Sequence, residues 1–266
     1  MGYDKLEQDN TNLEQYWNAA IGLQKVDDLE PSDYLYELKE QNINNKISNE
    51  DIEVKLYEKY NKDSNFLVVD RQKECDIVIN RMVEILSSRG SFRLIPSNFA
   101  MMHGILFKDL FDKLDEKYEG KFRDYNISKK EPILNGKSVV YSDFREIENT
   151  LEYDMETERC IDYKKLNQVE VIKQISSFTS RIWQVHPFIE GNTRTTAIFI
   201  EKHLNQLGFN VNNDMFFKYS EYFRNALVRT NYYDDKILPD DTYLNKFFAN
   251  LLFGENNELD NQELFL

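Results

Sequence analysis

Apolar residues at helical spacing in the last third of the chain are the feature that most restricts its fold. Between 171 and 185 they recur every three or four residues, which places them on one face of a long helix. This face consists of Val171, Ile175, Phe178, Ile182 and Val185. A second helix, stopped by Gly208, carries Ala197, Ile200, Leu204 and Leu207. With only nine glycines and five prolines in 266 residues, helical spacing dominates and predicts a mainly α-helical fold.

The N-terminal part of the chain shows further helical segments, and residues 10–60 are predicted to form a small helical unit. Capping residues and breaks set the predicted boundaries. The predicted helices cover 12–26, 32–42 after Pro31, a segment capped by Ser48, about 70–88, and a segment capped by Ser97 with Met101, Ile105 and Leu106 facing inward.

One segment predicts a β-hairpin. Residues 123–134 are followed by Asn135-Gly136, a strong signal for a two-residue turn, and 137–141 forms the returning strand. A lone hairpin in a helical protein is marginal by itself. It is therefore interpreted as a functional flap, with an ordinary surface loop as the alternative.

The net charge of the chain limits the classes of molecule that it is expected to bind. The net charge is −14, and no basic stripe interleaved with aromatic residues is present. A nucleic acid is therefore not the expected partner, because a phosphate backbone needs a basic face. A nucleotide needs only a local pocket of amide donors, one or two cations and a metal ion. The polar N-terminus and the lack of a long apolar run predict a cytoplasmic protein without a membrane segment.

The stretch 186–194 lies between the two helices of the last third and reads His-Pro-Phe-Ile-Glu-Gly-Asn-Thr-Arg. Pro187 disfavours helix at His186, so the histidine is expected where the first helix ends. Gly191 permits a tight turn. The next helix begins there, and its free N–H groups form a ready anion site.

Two charged residues extend this site. Arg194, in the first turn of the helix, is unfavourable for the helix dipole unless an anion compensates it. Glu190 adds a carboxylate that suits Mg²⁺ shared with a phosphate. His186 supplies a base that titrates near neutrality. Each residue alone is weak evidence, but their order within nine residues is hard to reach by chance.

This stretch resembles the signature of the Fic family, His-Pro-Phe-x-(Asp/Glu)-Gly-Asn-Gly-Arg, with Thr193 in place of the second glycine. Residues 120–130 resemble the flap region of that family, and roughly 90–250 follow its layout. The resemblance implies a helical core, ATP and Mg²⁺ as cofactors, and transfer of AMP to a Ser, Thr or Tyr hydroxyl of a target protein. Self-modification and a homo-oligomer are left open.

The resemblance also implies roles for single residues. His186 would be the catalytic base, Phe188 would anchor the loop, and Glu190 would hold Mg²⁺. The nucleotide would be bound by Gly191, Asn192, Thr193 and Arg194 in the anion hole, by the flap residues Ile127, Ser128, Lys129 and Lys130, and by Tyr222 and Asn231 near the adenine. The target would dock along the flap as an added strand.

The segment 22–31 resembles the small antitoxin that accompanies some Fic toxins, with Leu23, Asp27 and Asp28 at the positions of its inhibitory motif. Asp27 is therefore the predicted regulatory residue. The arginine with which the inhibitory residue pairs in relatives is Ala197 here, so we expect no such ion pair and a weak effect of Asp27. A helical extension that only covers the core, and a poorer inhibitory match at 255–256, are the alternatives.

The predicted organisation is therefore an antitoxin-like unit at 1–60, a connecting helix at 61–89, a Fic domain at 90–254 and a C-terminal tail at 255–266. Two other functions remain open. The fold could transfer another group, such as phosphate or UMP, or it could be an inactive nucleotide-binding module.

Overall fold

The computed structural model describes residues 2–61, 71–88, 90–111 and 115–266. Within these ranges the chain forms ten α-helices, joined by loops and short 3-10 turns. The helices are α1 (Gly2–Gln24), α2 (Asp33–Ile43), α3 (Asn49–Asn61), α4 (Arg71–Ser87), α5 (Pro96–Phe107), α6 (Ile147–Arg159), α7 (Gln168–Val185), α8 (Asn192–Leu207), α9 (Asp214–Asn231) and α10 (Thr242–Phe253). The predicted mainly helical fold is confirmed. No helix of the described part is long and apolar enough to cross a bilayer.

Helices α7 and α8 form the centre of the molecule. Asn167 and Glu170 close a capping box at the start of α7, and all five predicted apolar residues of this helix are buried. In α8 the predicted face is also buried, except for Leu207, which is 38% exposed. The helix ends there, because Gly208 takes a left-handed conformation with φ of 88°.

Helix α1 packs against α9 and α4. The approach to α9 is close, since a Cβ atom on Gly22 would overlap the backbone of Phe216 and Phe217. Ser220 Oγ also donates a hydrogen bond of 2.6 Å to the carbonyl oxygen of Gly22. The N-terminal helices thus lie directly on the rest of the fold. The division at residues 60 and 89 stays a prediction, and 62–70 and 89 lie outside the described residues.

Helix α5 corrects one prediction. It begins at Pro96 with Ile95 as the N-cap residue, so Ser97 is inside the first turn and is not the cap. Met101 and Ile105 are 55% and 41% exposed. The predicted burial of Leu106 is confirmed, and the buried face also includes Phe99 and Met102. Met101 and Met102 are both apolar, and packing buries the second of them.

The flap at 123–141 corrects a second prediction, since it contains no β-strand. Its predicted turn is present, with Asn135 and Gly136 both at positive φ. Only one hydrogen bond between backbone groups joins the two arms beyond the turn, from Glu131 N to the carbonyl oxygen of Lys137 (2.9 Å). The residues before the turn, Pro132–Leu134, form a short 3-10 helix, and Leu266 N donates to the carbonyl oxygen of Ile133 (2.9 Å). One ladder bond is too few to define paired strands.

Candidate active site

His186 ends α7 in the left-handed conformation, with φ of 48°. Its side chain is only 3% exposed, and neither ring nitrogen has a hydrogen-bond partner within the described residues. The ring stacks on Tyr141, with 4.1 Å between centroids, and meets the edge of Trp183. Burial lowers the pKa of His186 well below its ordinary value, and the charge of Lys129 lowers it further. The imidazole is therefore neutral, with free nitrogens, at physiological pH.

The backbone around His186 is held by Arg123, which is 2% exposed. Arg123 Nε donates to the carbonyl oxygen of His186 (2.9 Å), and its backbone N–H donates to that of Pro187 (2.8 Å). The same guanidinium also reaches the carbonyl oxygen of Ser142 (2.6 Å). Arg123 thus joins the flap to the end of α7 and fixes the position of the histidine. The sequence placed this residue in the flap and at the start of a predicted strand, without a role of its own.

The loop from Phe188 to Asn192 is closed by its own side chains. Asn192 Nδ2 donates to the carbonyl oxygen of Phe188 (2.7 Å), and Phe188 N donates to Asn192 Oδ1 (2.9 Å). Gly191 has φ of 72°, and a side chain here would overlap the ring of Phe107. Glycine is therefore required at 191, and the Asn192 side chain shapes the loop and does not point to a ligand.

Phe188 is fully buried and stacks on His103, with 3.9 Å between ring centroids. His103 Nδ1 accepts a hydrogen bond from Gly120 N (3.1 Å), so its Nε2 carries the proton that it donates to the carbonyl oxygen of Glu190 (3.2 Å). Burial lowers the pKa of His103 to about 3, which keeps the ring neutral. His103 thus links the start of the flap region, at Gly120, to the signature loop, at Glu190. No signal in the sequence distinguished this histidine from an ordinary core residue.

The N-terminus of α8 faces the histidine. Gly191 cannot cap the helix with a side chain, and the first backbone bond of α8 is from Thr195 N to the carbonyl oxygen of Gly191 (2.9 Å). The N–H groups of 192–194 therefore precede the first backbone hydrogen bond of the helix, an arrangement that suits an anion. Thr193 lies inside the helix with an ordinary backbone, and its Oγ1 accepts from Trp183 Nε1 (3.0 Å).

Arg194 is 1% exposed and is enclosed by side chains from the N-terminal part of the chain. Its Nη2 donates to Glu74 Oε1 (2.8 Å), and its Nη1 donates to Gln24 Oε1 (3.0 Å). Its Nε lies 2.6 Å from Asp27 Oδ2, an ion pair whose N–H bond is not aligned on the oxygen. The guanidinium also covers the ring of Phe107 at 4.9 Å. Arg194 therefore has no free side on which to receive a phosphate in this conformation.

Asp27 forms an ion pair that the sequence did not predict, with Arg194. Ala197 is buried and carries no charge, as expected, but Asp27 pairs with Arg194, one turn earlier on α8. Asp27 is fixed there because its own carbonyl oxygen accepts from Arg71 Nη2 (3.1 Å). Arg71 in turn pairs with Glu74 (2.7 Å), so the contact is part of a network between α4 and α8.

Glu190 lies at the surface, with its side chain 58% exposed and its Oε2 3.8 Å from Lys129 Nζ. The described residues contain no group of three or more His, Cys, Asp or Glu that could hold a metal ion. Mg²⁺ is usually bound by one or two carboxylates together with substrate phosphates and water. A single accessible carboxylate beside an anion site fits a Mg²⁺ ion that arrives with a nucleotide, and it does not fit a protein-only metal cage.

These residues surround a cavity of about 30 Å³. The cavity is lined by Asp27, Lys129, Glu131, Trp183, His186, Glu190, Gly191, Asn192, Thr193 and Arg224. A space of this size holds about two water molecules, and the three carboxylates of the lining outnumber its two cations. A space of this size is too small for a nucleotide triphosphate. The conformation is therefore a closed one.

Six of the ten predicted nucleotide-binding residues do not line this cavity. One is Arg194, whose guanidinium is held by Gln24, Asp27 and Glu74. Ile127 packs on the core, whereas Ser128 and Lys130 face solvent. Tyr222 is buried, and its hydroxyl donates to the carbonyl oxygen of Tyr243 (3.3 Å). Asn231 Nδ2 donates to the carbonyl oxygen of Leu227 (2.8 Å) at the end of α9. The cavity instead includes Glu131 and Arg224, which sequence reasoning did not identify.

Comparisons with known proteins agree with this geometry. The sequence model of the Fic/DOC family matches residues 94–204. No curated protein matches the chain in sequence. Among solved structures, the chain resembles the BepC protein of Bartonella tribocorum with bound AMPPNP, at 17% identity and a TM-score of 0.52, covering 74% of this chain and 86% of that one.

A second similar structure is the N-terminal Fic domain of a Bartonella effector protein from Bartonella sp. AR 15-3, at 15% identity and a TM-score of 0.53. It covers 71% of this chain and 85% of that one. A third is the N-terminal FIC domain of Bep8 from Bartonella sp. 1-1C, at 14% identity and a TM-score of 0.52, covering 75% and 90%. With the signature loop between α7 and α8, the match shows that the chain carries a Fic/DOC family domain at residues 94–204.

Proposed function

We propose that this protein is an adenylyltransferase, which transfers AMP from ATP to a Ser, Thr or Tyr hydroxyl of a target protein or of itself. The observation that carries the proposal is the neutral, buried His186, with both ring nitrogens unpartnered, beside the uncapped N-terminus of α8. A base and an anion site in contact with one cavity suit attack of a hydroxyl on a phosphate.

In the proposed reaction, the hydroxyl oxygen of the target forms a bond to the α-phosphorus of ATP, and the bond between that phosphorus and pyrophosphate breaks. His186 takes the hydroxyl proton, and pyrophosphate leaves. The amides of 192–194 hold phosphate oxygens, so the site acts by positioning and by charge neutralisation. Glu190 would hold Mg²⁺, which would neutralise phosphate charge when bound.

We further propose that Asp27 keeps the site closed. It occupies Arg194, the cation of the signature, and adds negative charge to a cavity that must receive a polyphosphate. Withdrawal of the 25–28 segment would free Arg194 and enlarge the cavity. In this proposal the N-terminal unit is inhibitory, and the antitoxin-like character of residues 1–60 is part of it.

The proposed docking edge for the target is segment 127–130, which is neither helix nor strand. Its exposed residue Ser128 has a backbone N–H without a hydrogen-bond partner in the described part of the chain. A free backbone donor at the surface suits pairing with an added strand. A cytoplasmic location is proposed with this function, because ATP and target proteins are available there.

Labelled ATP separates this function from the two alternatives. The full chain is incubated with Mg²⁺ and a cell lysate, with ATP labelled at the α- or the γ-phosphate. Adenylyl transfer predicts protein-bound label from the α-position only and a mass increase of one AMP. Label from the γ-position only would show phosphate transfer. Binding of ATP without any protein-bound label would show a nucleotide-binding module.

A further inference from the structure

The second cation of the cavity besides Lys129 is Arg224, in the part of α9 that follows a kink at Tyr219. Its side chain is 23% exposed. Nη2 donates to Glu131 Oε2 (2.7 Å), and Nη1 donates to Asn225 Oδ1 (3.3 Å). These two bonds leave most of the five N–H donors of the guanidinium available.

Arg194, unlike Arg224, has no N–H donor that faces the cavity without a partner side chain beside it. The guanidinium of Arg194 contacts Gln24, Asp27 and Glu74, and Phe107 covers its face. Arg194 therefore has no free donor for a phosphate while these contacts persist. Arg224 has free donors and lines the same cavity as His186 and the N-terminus of α8.

We infer that Arg224 binds a phosphate of the nucleotide in the cavity that the N-terminus of α8 also lines; this inference rests on the proposed function. Arginine suits this role because its planar fork makes two parallel hydrogen bonds to phosphate oxygens.

Glu131 prepares Arg224 for this contact. It is 1% exposed, its Oε2 accepts from Arg224, and its backbone N–H bonds to the flap turn at Lys137. The carboxylate thus holds the guanidinium in a single orientation while it leaves donors free. Because Arg224 sits on α9 and Glu131 on the flap, the same pair also fixes the flap relative to the helix that α1 covers.

Calorimetry with ATP and with adenosine tests this assignment, because only ATP carries phosphates. The full chain and its variants are titrated in the presence of Mg²⁺, in the wild-type and Asp27→Asn backgrounds. Arg224→Gln is expected to weaken ATP binding by about tenfold to a hundredfold, the effect typical of a lost hydrogen bond to a charged group. Adenosine binding is expected to stay within about twofold. Arg224→Lys should restore part of the ATP affinity, because it keeps the charge but not the fork.

Two control variants separate a phosphate contact from damage to the fold. Glu131→Gln removes the ion pair but keeps the cation and an amide oxygen that can accept from Arg224, so it should weaken ATP binding clearly less than Arg224→Gln does. Arg181→Gln removes a different arginine–carboxylate pair, with Asp154 at 2.8 Å. Neither residue lines the cavity, so the affinity for ATP should not change. Unchanged ATP affinity in folded Arg224→Gln, or equal losses in Arg224→Gln and Glu131→Gln, would overturn the inference while the proposed function stands. If neither background bound ATP, the proposed function itself would fail, and this inference with it.

Discussion

The contact between Asp27 and Arg194 gives the sharpest prediction about control of the site. Asp27→Asn keeps the size of the side chain and removes its charge. The pair is largely shielded, since the Arg194 side chain is 1% exposed and that of Asp27 is 28% exposed. A close ion pair in such a place contributes about 1.5–3 kcal/mol, the lower end of the range for close, shielded charge pairs. Arg194 keeps Glu74 as a partner, so the variant should still fold.

This free energy sets the expected gain. A phosphate that competes with Asp27 for Arg194 should bind about ten- to a hundredfold more tightly once the carboxylate is gone. The assay is calorimetric titration with ATP and Mg²⁺, followed by initial rates of self-modification. Asp28→Asn is the matched control, because Asp28 is exposed and already in a left-handed conformation that asparagine tolerates. A change of less than threefold in both affinity and rate for Asp27→Asn would refute the inhibitory role of this residue.

Two further predictions concern the pH dependence of stability, through the buried Glu201, and the docking of the target, through the exposed Ser128. Glu201 in α8 is fully buried, and burial raises its pKa from 4.5 to about 8. The folded state therefore keeps a proton that the unfolded state releases, so stability falls as pH rises from about 4.5 to 8. Relative to Glu201→Gln, the wild type should lose about 3 kcal/mol of unfolding free energy between pH 5 and pH 7.5; parallel denaturant curves would contradict this. Ser128→Pro should impair target modification and leave ATP affinity unchanged, because proline removes a backbone donor at the proposed docking edge; equal losses of both would indicate a structural role. Lys129→Pro is a poorer choice, since Lys129 N already donates to Ser138 Oγ (3.1 Å).

The helices and the signature loop could be predicted because their signals are local. Spacing along the chain determines the buried face of α7, and Pro187 determines where that helix ends. The conformation of Gly191 also followed from its type. The register of α5 was misjudged because both Met101 and Met102 are apolar, and only packing decides which of them is buried. The flap was predicted as a hairpin because its turn signal is strong. A turn alone does not supply the row of backbone hydrogen bonds that paired strands require.

The partners of Arg194 could not be predicted, because they lie far away in the chain. Glu74 and Gln24 come from α4 and α1, and neither belongs to a recognisable motif. Asp27 was identified by position, but its partner was not, since the approach of α1 to α8 depends on how α1 packs against α9. Arg224 carried no signal for the same reason. Long-range placement, not residue type, decides which charges reach the cavity.

The most direct test of the central claim is the transfer rate of His186→Asn. Asparagine tolerates the left-handed backbone of His186 better than alanine and cannot act as a base. Protein-bound label from α-labelled ATP is measured over time for this variant and the wild type, both with Asp27→Asn, and ATP affinity is measured alongside. A general base contributes about 10²–10⁴-fold, so transfer should fall by at least a hundredfold while ATP affinity stays within about threefold. A variant that kept more than a tenth of the rate would contradict the assignment of His186 as the base.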